Sequence, residues 1–206
     1  MPKKPPDHES LPVIVPRNGK HLTAVTPDRV QRLRRHLQDA LRDRGANTGV
    51  QSSRASPEPT GFHAVVAQAA CSLCRGYCCR NGGDDGFLDA RTIGRLRQAN
   101  PTMTDDALIN LYIGRVPVEG YRDSCIFHGR KGCTLDRSMR ADVCNTYFCR
   151  GLGDYVKSDA APEPTIVIAG DSEKTRVSQV LTPPRILAEH GPVSHRSGSR
   201  TSRSDT

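Results

Sequence analysis

The chain has 206 residues with 15 Pro, 18 Gly, eight Cys and no Trp, 4% aromatic residues and a mean hydropathy of −0.56, which leaves material for one modest domain with tails and excludes a large aromatic core. The net charge of +8 divides as +5 over residues 1–60, +1 over 61–182 and +2 over 183–206, so the basic excess lies in the flanks and nucleic acid is not an expected partner of the middle, although the flanks can add non-specific phosphate contacts. No stretch approaches the roughly 18 apolar residues of a membrane span, and the opening Met-Pro-Lys-Lys-Pro-Pro has no apolar segment of the signal-peptide kind.

Residues 1–25 hold prolines at positions 2, 5, 6, 12 and 16 and one short apolar run, Val13-Ile14-Val15; they read as a mostly disordered arm. Residues 26–45 predict an amphipathic helix. Thr26 can cap it, Pro27 suits its first position, Gly45 can close it, and Val30, Leu33, Leu37 and Leu41 fall on one stripe. It is read as a packing helix, because Asp28, Asp39 and Asp43 dilute the arginines on its other faces. Residues 46–59, rich in Ser, Asn, Gly and Pro, read as a linker that makes this helix a separable appendage. The compact domain is expected over residues 60–182, and residues 183–206 read as a disordered tail.

All eight cysteines lie between positions 71 and 149. A helix beginning at Gly61, with Phe62, Val65, Val66 and Ala69 on one stripe, should deliver Cys71 and Cys74 one turn apart, and Gly76 lets the chain turn back with Cys78 or Cys79. Successive side chains diverge, so Cys78 and Cys79 are expected to differ in role. Asn81–Gly86 reads as a turn in which Asp84 and Asp85 are solvated charge. Helices are predicted over 89–100, capped by Asp89, and from Thr104 to Gly114. Gly120–Leu135 resembles a hairpin or knuckle that brings Cys125 and Cys133 together, with His128 weighed as a ligand but read as an exposed loop histidine. A short helix over Ser138–Asn145 leads to Cys144 and Cys149, and Thr165–Ala169 with Thr175–Leu181 predicts a terminal β-hairpin.

Eight thiols in two fours, in a chain expected to be made in a reducing cytoplasm, point to metal more than to disulfides. Thiolate ligands do not choose between Zn2+ and an iron–sulfur cluster. A structural zinc supplies about 10–16 kcal/mol of folding free energy in peptides, so a metal would staple this small core. His-Glu-x-x-His, Walker and Gly-x-Gly-x-x-Gly signatures are all missing, and no catalytic residue is identified.

Cys71-Ser-Leu-Cys74-Arg-Gly-Tyr-Cys78-Cys79, followed by Gly132-Cys133-Thr134-Leu135, Met139-Arg140-Ala141-Asp142-Val143-Cys144 and Tyr147-Phe148-Cys149, resembles the YkgJ-like cysteine-cluster family of zinc- or iron-chelating domains over residues 61–152. The resemblance implies metal or cluster binding through Cys71, Cys74, Cys78, Cys79, Cys125, Cys133, Cys144 and Cys149 in a mainly helical domain. The expected fold is therefore mainly α, a small metal-stapled domain with a C-terminal β-hairpin and disordered termini. The expected function is metal binding, with a metal- or cluster-dependent redox or methyltransferase-like enzyme and a zinc-stapled nucleic-acid adaptor as alternatives.

Overall fold

The computed structural model of the chain describes residues 12–43, 59–158 and 163–183. The first part of the expected arm, most of the expected linker and nearly all of the expected tail lie outside the described residues. In chain order the first elements are β1 (Val13–Pro16), β2 (Leu22–Ala24), α1 (Pro27–Arg42), α2 (Gly61–Cys74), α3 (Ala90–Ala99) and α4 (Asp105–Ile113). They are followed by β3 (Glu119–Tyr121), β4 (His128–Gly129), β5 (Gly132–Cys133), α5 (Asp142–Thr146), α6 (Arg150–Val156), β6 (Val167–Gly170) and β7 (Thr175–Val177). No helix among the described residues is long and apolar enough to cross a membrane.

The fold is mixed α/β with two sheets, which corrects the mainly α expectation. One sheet has the order β1-β6-β7 and the other β2-β3-β4-β5. The terminal hairpin β6–β7 is present, but β1 joins it in parallel, with Val13 opposite Val167 and Val15 opposite Ala169. The arm reading failed here because a four-residue strand has only two inward positions to show. Val13 and Val15 fill both, and together with Val167 and Ala169 they pack on Phe62, Val66 and Ala70 of α2 and Leu152 of α6. Val13 donates its N–H to the Ile166 carbonyl at 2.9 Å, so the alternate carbonyl, that of Ile14, faces the other edge of β1. The first turn of α6 covers that edge so closely that a Cβ on Gly151 would stand 1.9 Å from the Ile14 oxygen.

A second core is helical. Leu33, Leu37 and Leu41 of α1 meet Ile93 and Leu96 of α3 and Leu108, Ile109 and Tyr112 of α4, and this group extends onto Leu88, Ile126 and Phe127. The caps behave as the local sequence dictates for two helices: Asp89 accepts the Thr92 N–H at 2.8 Å, and Thr104 accepts the Ala107 N–H at 3.2 Å. Thr26 precedes α1 without a side-chain cap bond. Arg29 and Arg32 of α1 instead reach Asp84, which is therefore not a solvated loop charge. Burial tends to raise the Asp84 carboxyl, but the hydrogen bonds from Arg29 and Arg32 hold it below the usual carboxylate range. The helix expected over Ser138–Asn145 is divided into a 3-10 turn, Arg137–Met139, and α5, with Arg140 and Ala141 extended between them.

Candidate functional site

Near the end of α2, Cys71 and Cys74 stand one turn apart, and Arg75 (φ 54°) and Gly76 (φ 66°) then take left-handed conformations that reverse the chain into a 3-10 turn, Tyr77–Asn81. The reversal is locked by its neighbours. Tyr77 donates its N–H to Cys74 Sγ at 3.3 Å, and a Cβ on Gly76 would stand 2.4 Å from His128 Nε2. His128 is not the exposed loop residue the sequence suggested. It is fully buried, Ser124 Oγ lies 2.8 Å from its Nδ1, and its ring lies against that of Tyr121 at 4.6 Å between centroids. Burial, together with the nearby Arg75 charge, lowers its pKa to about 4, so it is a neutral hydrogen-bonded core group.

The adjacent pair divides. Cys78 is exposed, with Cys71, Cys74 and Cys144 as electrostatic neighbours, whereas Cys79 is half-buried against the helical core near Cys125 and Cys133. A hydrogen bond from the Cys79 thiol is the main reason that Cys78 falls to about 7, and the same bond raises Cys79. Burial pushes Cys71, Cys74 and Cys144 up to about 11 and Cys125 up to about 12.

Among the described residues no group of three or more His, Cys, Asp or Glu side chains is placed to hold a metal ion. That overturns the expected Zn2+ or iron–sulfur cluster, and with it the metal-binding function, the metal- or cluster-dependent redox or methyltransferase-like alternative and the zinc-stapled adaptor. The physical reason is a division of the thiols between two cores. Cys74 and Cys149 belong with the sheet, and Cys79, Cys125 and Cys133 with the helices. All eight cysteines are free of disulfides.

A cleft of about 510 Å³ opens beside the 3-10 turn, between the end of β1 and the β6–β7 turn. Arg17, Asn18, Lys20, Tyr77, Arg80, Asp171 and Glu173 are among its lining residues. Arg17 is 8% exposed and Asn18 is completely buried. The Asn18 N–H donates to the Cys74 carbonyl at 2.8 Å and Asn18 Oδ1 accepts the Lys20 N–H at 3.0 Å, but Asn18 Nδ2 is buried without a partner. Arg17 donates through Nη1 to Asp171 Oδ2 at 2.7 Å, and its Nε is also buried without a partner. Each such donor costs about 1–3 kcal/mol until an acceptor meets it. Arg80 lies over the Tyr77 ring at 4.8 Å and forms no ion pair with a described carboxylate, while Lys20 reaches Asp123 at 3.4 Å. The N–H groups of Glu173 and Lys174, with Arg17, hold the Asp171 carboxyl below its usual range.

None of these cleft residues was singled out from sequence. The available signal was Arg17-Asn18-Gly19-Lys20, a basic turn directly after the apolar run Val13-Ile14-Val15, which is where a strand end presents binding groups. No protein-family model, no curated protein and no solved structure matches the chain, so with the metal site overturned the YkgJ-like resemblance has no support.

Proposed function

We propose that the protein binds a small ligand carrying an oxyanion, a carboxylate or phosphate group, in the cleft between β1, the β6–β7 turn and the 3-10 turn. The observation that carries this reading is the pair of adjacent buried donors without acceptors, Arg17 Nε and Asn18 Nδ2, in the lining of a cleft that also holds Arg80 and Lys20. An oxyanion offers several lone pairs to converging N–H groups, and a guanidinium in partial burial holds it more strongly than in water. Arg80 supplies cationic charge at the wall, and Tyr77 restricts its movement. The free state of all eight cysteines supports placing this function in a reducing compartment such as the cytoplasm.

The test is a titration of the full chain with inorganic phosphate and, separately, acetate, followed by the NMR signals of the Asn18 side-chain amide and Arg17 Nε–H. Saturable shifts at both groups are expected, with affinity weakened about tenfold in Arg80→Ala, the loss of one charge-assisted contact. Unmoved signals at millimolar anion, or shifts that Arg80→Ala leaves unchanged, would overturn the reading.

A further inference from the structure

The cleft has unused capacity of both signs. Asp171 Oδ2 accepts from Arg17 Nη1 at 2.7 Å, and Nη1 lies on the opposite side of the guanidinium from Nε–H, so this pair leaves the Nε edge to another acceptor. Asp171 cancels the charge of Arg17, and Asp123 that of Lys20 at 3.4 Å, which leaves Arg80 and Glu173 as the charged lining groups without an ion-pair partner among the described residues. One is a cation and the other an anion. The buried donors Arg17 Nε and Asn18 Nδ2 call for an acceptor. Glu173 is exposed, and its own N–H, rather than its carboxylate, joins the turn, so that carboxylate calls for a donor. The two halves are fixed relative to one another by a single side chain: Asp171 Oδ1 accepts the N–H of Glu173 at 2.9 Å and that of Lys174 at 2.8 Å, while Oδ2 holds Arg17. Groups set in place before binding lose less freedom on capturing a ligand.

We infer that the ligand is a zwitterion, a small aminocarboxylate such as a free amino acid, whose carboxylate takes Arg17 Nε, Asn18 Nδ2 and Arg80 and whose ammonium group faces Glu173. This rests on the oxyanion-binding reading above and selects the carboxylate from the two oxyanions named there. A phosphate would bring one or two negative charges to a wall that already holds Glu173, with no cation to meet it. An aminocarboxylate brings one charge of each sign, which matches Arg80 and Glu173. The cleft volume of about 510 Å³ falls within the roughly 300–1,000 Å³ of small-molecule sites, so it has room for the ligand's side chain as well.

The experiment titrates the full chain near neutral pH with glycine, β-alanine and γ-aminobutyrate and with their parent carboxylates acetate, propanoate and butanoate, reading the Asn18 side-chain amide and Arg17 Nε–H by NMR. In at least one of the three pairs the amine should bind about fivefold more tightly than its parent, the upper range for an ion pair screened by solvent. The pair that shows it measures the span from Glu173 to the buried donors. Glu173→Gln keeps the main-chain N–H that closes the turn, and in it the amine should fall to the affinity of its parent, which itself binds no more weakly than before. Asp106→Asn makes the same change of charge at an exposed position of α4, outside the cleft lining, and should retain the preference. Amines that bind no better than their parents, or a preference that Glu173→Gln preserves or Asp106→Asn abolishes, would overturn the zwitterion and leave the oxyanion site standing. Unmoved signals with all six compounds would overturn both.

Discussion

The two cores are closed over very different distances along the chain. The helical core joins α1, α3 and α4 through stripes that each helix displays within its own few turns, such as Leu33, Leu37 and Leu41. The sheet core depends on β1 meeting β6, with Val13 opposite Val167, and on α6 lying against the far edge of β1. One core is therefore a sum of local commitments, and the other is a long-range closure in which a single bad contact has no neighbour to absorb it. Substitutions should separate them.

The largest effect is expected from Leu37→Ala. Leu37 is completely buried among three helices, and leucine-to-alanine changes at such sites cost about 3–4 kcal/mol. Hydrogen exchange should show protection lost first in α1, α3 and α4; uniform loss across β1 and β6 would show that the two cores unfold as one. Gly151→Ala should do the reverse. Its Cβ would meet the Ile14 carbonyl at 1.9 Å, and forcing α6 away should cost about 3 kcal/mol, with β1 and β6 losing protection first. Gly153→Ala is the control, because its nearest heavy atom outside its own backbone neighbours is 3.7 Å away, so it should be neutral or gain up to about 1 kcal/mol from helix propensity.

A smaller effect belongs to the polar group under the left-handed turn. His128 has a folded-state pKa of about 4, and the unfolded value is about 6.5, so the unfolded chain binds more protons between those limits. The neutral imidazole's contribution is fully present above the unfolded pKa and is lost as pH falls through this window toward 4. Allowing for solvent screening, unfolding free energies from urea titrations at pH 7 and pH 4.5 should differ by about 2 kcal/mol from this group, and the difference should shrink in His128→Gln. NMR titration of the ring with an ordinary midpoint would remove this source. The smallest effect is expected at α3, where Asp89→Ala removes a cap and should cost about 1 kcal/mol in thermal or urea unfolding.

The same contrast explains what the sequence discloses. The stripe of α1, the caps at Asp89 and Thr104 and the β6–β7 hairpin are local patterns, and each is found close to where the spacing places it. β1 is only four residues long, and its partner lies across more than a hundred intervening residues, so Val13-Ile14-Val15 resembles an isolated apolar run in a proline-rich arm. The cleft inherits that difficulty, since Arg17 and Asp171 face one another only after the sheet has closed. Cysteine spacing carries proximity without direction. It brings Cys78 and Cys79 among the other thiols, yet the packing that assigns Cys74 and Cys149 to one core and Cys79, Cys125 and Cys133 to the other is set by partners elsewhere in the chain. His128 misleads for a related reason, because Gly76, which leaves room for its ring, is remote in sequence.

The parallel pairing of β1 with β6 also imposes an order of events during synthesis. At about 5–20 residues per second, β6 emerges roughly 10–30 s after β1. The segments of α1, α3 and α4 are all present well before then, and the helical core can assemble while the Val13–Pro16 strand still lacks the neighbour it will pair with. For that interval the chain carries an unpaired apolar edge. That edge is covered only when Val167–Gly170 appears and pairs with it.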